Sequence, residues 1–213
     1  LVMKIVPPTP DGIREAAQAV RAGEIVAYPT ETVYGLAADP FSEEAVARLF
    51  EIKKRDRGKP VLLIVANAAQ LAGVVSAVSP EAEACIRAFW PGPLSLLFPK
   101  AVWLAPGITA GAEKVCVRET SYPIARTLCE YAGHAVTSTS ANPGGGEPAR
   151  SLDEMDMSGI AIAIDGGILP FSPPSTVYDP DARRILREGA ISSERLGVAM
   201  GENSRQPPRN LAP

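Results

Sequence analysis

The chain has 213 residues, 46% of them hydrophobic and 21% charged, with a formal net charge of −3. That profile fits a soluble chain with a full core, one large domain or two small ones, and excludes a protein that binds polyanions over its whole surface. A single histidine excludes both a Cys2His2 finger and a multi-histidine catalytic metal site.

Residues 3–6 read as a short strand. Residues 12–22 read as a helix, with Asp11 as N-cap and Gly23 ending it. A buried strand over 25–28 runs straight into Pro29. A second helix spans 42–53, capped by Ser42, with Glu43 and Glu44 in its first turn and an apolar face of Val46, Leu49, Phe50 and Ile52. The continuous apolar run 61–65 reads as a strand buried on both faces. Helices are expected over 68–75, 81–89 and 122–131. Strands are expected over 94–98, 115–118 and 135–139, then 160–164, 175–178 and 184–187. A closing helix is expected over 192–200. Residues 201–213 are polar and proline-bearing, and read as a disordered tail. The order, alternating first and strand-rich later, predicts one α/β domain over 1–200 with a mixed sheet.

Cys85, Cys116 and Cys129 sit in apolar surroundings with no zinc spacing, so they read as buried, reduced, structural thiols. His134 follows what reads as a helix C-terminus, where an imidazole helps the dipole. No apolar run reaches spanning length and no signal peptide precedes the first strand, which places the chain in the cytoplasm, away from membranes.

Three segments carry the chemistry. YPTETVYGL, from Tyr28, puts three hydroxyl-bearing residues (Thr30, Thr32, Tyr34) and a carboxylate directly after a buried strand. Hydroxyls with a carboxylate suit a small zwitterion such as an amino acid, and a capped turn is the plainer reading. Lys53, Lys54, Arg55, Arg57 and Lys59 put five cations at the end of a helix. Such a run is a solvated helix end or a phosphate site. Thr139-Ser140-Ala141-Asn142-Pro143 opens a glycine-rich turn, which lets backbone N–H groups approach an anion or simply makes a flexible loop. Neither a Walker loop nor a Gly-x-Gly-x-x-Gly fingerprint is present.

In order and content the chain resembles the YrdC-like family of threonylcarbamoyl-AMP synthases, in its single-domain form, over about residues 1–195. The matching pieces are YPTETVYGL, Lys53-Lys54-Arg55, Lys59-Pro60, WPGP before LSLLF, VCVR at 115–118, TSAN at 139–142, STV at 175–177 and ILREG at 185–189. The resemblance implies an α/β fold with a twisted mixed parallel and antiparallel sheet, flanking helices and a basic concave face. It implies a nucleotidyltransferase that joins L-threonine, bicarbonate and ATP, with Mg2+ carried on the triphosphate. The product serves the threonylcarbamoyl modification of adenosine in tRNA, with downstream tRNA threonylcarbamoyl transferase proteins as partners.

By the same resemblance the catalytic tetrad falls on Lys53, Arg55, Ser140 and Asn142. Thr32, Arg118, Ser140 and Ser175 would bind threonine. Arg55, Lys59, Lys114, Asn142, Arg150, Ser151 and Arg187 would bind the nucleotide, and none is a metal ligand. Family members often carry a histidine after Lys-Pro, whereas the run 61–65 has none. Two other readings therefore stay open. One is a fold paralogue that binds double-stranded RNA or tRNA through its cations. The other is a paralogue with a changed substrate.

Overall fold

Thr9 opens the first helix: its Oγ1 accepts the Gly12 N–H at 3.3 Å, and Pro10 supplies the pre-set φ of the first turn. The cap is therefore Thr9 and not Asp11, which pairs with Arg14 at 2.7 Å. The computed structural model describes residues 3–54 and 56–199. Arg55, Met200 and the tail expected over 201–213 lie outside them.

In chain order the elements are β1 (Lys4–Val6), α1 (Pro10–Arg21), β2 (Val26–Pro29), β3 (Tyr34–Ala37), α2 (Glu43–Lys53), β4 (Leu63–Val65), α3 (Ala68–Ala72) and α4 (Pro80–Phe89). They continue with β5 (Leu94–Pro99), α5 (Pro106–Thr109), β6 (Lys114–Glu119), α6 (Pro123–Ala132), β7 (Val136–Thr137), β8 (Thr139–Ser140), β9 (Ile162–Ile164), β10 (Thr176–Asp179), β11 (Arg184–Arg187) and α7 (Ser193–Ala199). The mixed α/β order stands. The strands divide into two mixed sheets, ordered β1-β9-β2-β3-β8 and β11-β10-β5-β6-β4-β7.

Two cores follow from strand alternation. Ala27, Leu36 and Ala163 of the first sheet meet Leu63, Leu96 and Val117 of the second in one core, which also takes Leu49 and Phe50 of α2. On the other side, Val26, Tyr28, Ile64 and Val136 pack under α1 and α6. Leu63 thus faces one core and Ile64 the other, which is why 61–65 lacks polar alternation. Ile13, Ala16, Ala17 and Val20 form the buried stripe of α1 at helical spacing.

Two departures bear on the site. The expected loop after Pro29 contains β3, antiparallel to β2 with Tyr28 opposite Gly35. The expected strand 135–139 is two strands. Val136 pairs with Ile64 in the second sheet, while Thr139 pairs with Leu36 in the first. The chain changes sheets at Ser138, whose N–H bonds the Leu62 carbonyl at 2.7 Å. No alternation reveals this, because both halves are short and buried.

Cys85 and Cys129 are buried and Cys116 is half-buried; none is in a disulfide. Burial pushes Cys85 up to about 11 and Cys129 up to about 12. His134 follows the left-handed Gly133 cap of α6 and stands edge-on to Phe41, ring centroids 5.6 Å apart.

Candidate active site

α2 carries Lys53 to its buried end, where the residue is 2% exposed. The ammonium donates to the Asn142 carbonyl at 2.8 Å and to the Ser140 carbonyl. The backbone answers: Gly144 N–H bonds the Lys53 carbonyl at 2.8 Å. Asn142 closes the turn on itself, its Nδ2 donating to Pro143 O at 2.9 Å and Gly146 O at 2.7 Å. Its Oδ1 is buried and has no hydrogen-bond partner among the described residues. An acceptor left so is costly, and it marks a place where a ligand donor fits. Gly145, at φ +87°, makes the left-handed bend that closes the loop. β8 sets Ser140 opposite Gly35, and Ala141 N–H bonds Tyr34 O at 2.8 Å. The basic helix end, the Ser-x-Asn turn and YPTETVYGL are therefore brought together.

Within that last segment Thr30 is buried and organises the loop. Its Oγ1 donates to Val33 O at 2.6 Å, accepts from Thr32 N at 3.2 Å, and lies 3.2 Å from Thr32 Oγ1. Thr32 is half-buried. Glu31, between them, accepts from Thr120 Oγ1 at 3.0 Å and forms an ion pair with Arg118.

Arg118 stands on β6 and belongs to a polar strip across the second sheet. Strand pairing places Arg118, Cys116, Leu97, Ser95, Val177 and Arg187 on one face. Arg118 is 2% exposed, and its Nε is buried without a hydrogen-bond partner among the described residues. Burial pushes the Cys116 thiol up to about 12, against the opposing pull of the Arg187 and Arg118 charges. Ser95 and Ser175 are buried with hydroxyls 2.9 Å apart. Arg187 bonds Ser175 O through Nη2 at 2.9 Å and Nε at 3.2 Å, and Ser175 Oγ through Nη2 at 3.1 Å.

Other candidates stand apart. The Lys114 ammonium is taken by Asp179 at 2.7 Å and Asp181 at 3.0 Å. Burial lowers its pKa, but these two carboxylates win and raise it. Lys59 is exposed on the loop after α2. Arg150 and Ser151 follow the buried Ala149, whose carbonyl accepts from Tyr34 N at 2.8 Å. Arg55 lies outside the described residues.

Sequence reasoning left four contributors unassigned: Ser95, Tyr34, Tyr122 and Glu31. Tyr34 Oη accepts from Gly166 N at 2.8 Å and donates to Gly167 O at 3.0 Å, tying the 165–175 loop to β3. Burial raises the Tyr122 pKa, and the nearby Glu31 charge adds to it. Glu31 and Tyr34 carried a signal, as a carboxylate and a hydroxyl within YPTETVYGL; Ser95 and Tyr122 carried none.

Among the described residues no group of His, Cys, Asp and Glu side chains is placed to hold a metal ion, and no helix is long and apolar enough to cross a membrane. The arrangement offers buried guanidinium, an orphaned amide oxygen and clustered hydroxyls. It suits a small anionic and zwitterionic ligand.

A family model described as Telomere recombination (Sua5_yciO_yrdC) matches residues 18–189. The threonylcarbamoyl-AMP synthase of Alkalilimnicola ehrlichii is 39% identical over 182 residues, covering 82% of this chain and 94% of that protein. The enzyme of that name from Halorhodospira halophila is 40% identical over 181 residues, covering 84% and 95%. P. abyssi Sua5 complexed with L-threonine superposes with a TM-score of 0.88 at 35% identity, over 95% of this chain and 62% of that one. The chain therefore spans about three fifths of that longer protein. E. coli YciO, at 23% identity and a TM-score of 0.78, covers 92% and 98% and shares the fold.

Proposed function

Because the chain belongs to the Sua5/YciO/YrdC family, we propose that it is an L-threonylcarbamoyladenylate synthase. It joins L-threonine, bicarbonate and ATP into threonylcarbamoyl-AMP and pyrophosphate. The reading rests above all on Arg118, a buried and incompletely partnered guanidinium paired with Glu31, the residue between Thr30 and Thr32. A cation 2% exposed cannot reach an RNA backbone, and it suits the carboxylate of a small molecule. The RNA-binding paralogue gives this buried cation no role. Relatives of 39% and 40% identity named as the synthase argue against a changed substrate.

In this reaction the threonine amine adds to bicarbonate with loss of water and gives a carbamate. A carbamate oxygen then attacks the α-phosphorus of ATP, and the bond to pyrophosphate breaks. The attacking group is already an anion, so no general base is needed. Arg118 holds the threonine carboxylate and the Thr32 hydroxyl bonds the amino-acid portion. Asn142 Oδ1 accepts a donor from the substrate. Arg187, braced on Ser175, faces the nucleotide. Lys59, Arg150 and Ser151 reach the phosphates from the bordering loops, and Arg55 is the further cation assigned to them. Lys53 acts through the turn: its buried ammonium fixes Ser140 and Asn142 and adds positive potential where charge develops. Lys114, neutralised by two carboxylates, has no part. ATP enters as its magnesium complex, the metal held by phosphates and water. The product passes, in the cytoplasm, to proteins that transfer the threonylcarbamoyl group to tRNA.

The test is direct. Purified protein is given magnesium, ATP and labelled bicarbonate with threonine, serine or no amino acid, and the adenylate is sought by mass. A threonine-dependent adenylate is expected. ATP bound with no adenylate formed would overturn the assignment.

A further inference from the structure

Glu31 has no role in the mechanism above, yet its carboxylate is held from two sides. Thr120 Oγ1 fixes Oε2 at 3.0 Å, and Oε1 contacts Arg118 Nη1. The two charged side chains are 15% and 3% exposed, and the contact joins the β2–β3 loop of one sheet to β6 of the other. An ion pair kept only for stability would satisfy its remaining donors, because a buried charge repays its desolvation only with good geometry and further hydrogen bonds. This pair does not. Arg118 Nε and Nη1 and Glu31 Oε1 all stay buried without a hydrogen-bond partner among the described residues, a costly state for such groups. A guanidinium is a rigid planar fork of five donors. An acid paired with Nη1 draws that end of the fork toward itself and leaves the Nε edge for a second carboxylate.

We propose that Glu31 is the positioning residue that orients Arg118 toward the carboxylate of the amino-acid substrate. Thr120 holds Glu31 in turn. The inference rests on the threonine reading of the site given above.

Threonine and ATP KM values, with calorimetric binding of each, are measured for Glu31→Gln, Thr120→Val, Arg118→Lys and the double variant Glu31→Gln/Arg118→Lys. Glu31→Gln raises the threonine KM at least tenfold and leaves the ATP KM within twofold. Thr120→Val moves it the same way by less, and Glu31→Asp restores part of the loss. The double variant is no worse than Arg118→Lys, because Glu31 acts through Arg118. Losses that multiply in the double variant would overturn the proposal, since Glu31 would then touch substrate itself. So would an unchanged threonine KM in Glu31→Gln, or equal loss of both substrates with a lowered melting temperature. If Glu31→Gln does not fold, an unchanged threonine KM in Thr120→Val overturns it alone. Wild-type protein that binds no threonine removes the threonine reading together with this inference. Normal wild-type binding with multiplying variants removes this inference only.

Discussion

Lys53 turns its ammonium away from solvent and into two carbonyl oxygens of the Ser-x-Asn turn. Replacing it breaks the turn before it removes a charge. Lys53→Met, which keeps the buried stem, is expected to lower threonine-dependent pyrophosphate release by about 100-fold or more, the scale of losing one preorganised donor. Far-UV circular dichroism should be unchanged. Thr32→Val removes a single hydroxyl from the same cluster. It is expected to raise the threonine KM about tenfold, the equivalent of roughly 1.4 kcal/mol, with ATP affinity within twofold. Equal loss of both substrates would contradict the pocket assignment.

The thiols make a prediction in pH. Burial raises Cys85 to about 11 and Cys116 and Cys129 to about 12, from an ordinary value of 9.0. Above that ordinary value the unfolded chain gives up thiol protons that the folded chain keeps. The stabilisation is therefore complete below pH 9 and is lost as pH rises toward 12. Urea midpoints should fall across that window. Cys129→Ala should lower stability below pH 9, through the lost packing, while flattening the slope above it.

At the level of elements, Gly189 supports the nucleotide side of the site. A Cβ there would lie 2.2 Å from Pro174 O and 2.7 Å from the Thr176 nitrogen, both backbone atoms at the head of β10. Gly189→Ala must push Ser175 away from Arg187. It is expected to cost about 1–3 kcal/mol of stability and to weaken ATP binding more than threonine binding, as calorimetry would read. α2 was legible in sequence because Ser42, the acidic first turn and the apolar face agreed. Of the residues in the tetrad pattern, Lys53, Ser140 and Asn142 meet at one turn. What spacing did not convey was direction. Lys114 reads as a free cation until β10 brings Asp179 beside it. Glu31 reads as a loop carboxylate until β6 brings Arg118. Both depend on pairings across long stretches of chain, which a local pattern does not encode.

For the molecule as a whole, one core is built from both sheets, and the ion pair of Glu31 with Arg118 ties them at the site. Heat should therefore unfold the domain in one transition. Threonine and ATP bind only the assembled site, so each should raise the melting temperature. A ligand at 100 times its Kd adds about 2.7 kcal/mol. Arg118→Lys should lose most of the threonine increment and keep that of ATP.

The sheet change at Ser138 also sets a timetable for refolding. Thr137 Oγ1 bonds the Leu36 carbonyl, 101 residues away in sequence, while its neighbour Val136 pairs with β4. Closing such distant contacts is slow, and the turn beyond them has nothing to stand on until both sheets exist. In stopped-flow refolding, helical signal should return first and threonine binding last, so nascent protein would hold most of its shape before it holds its substrate.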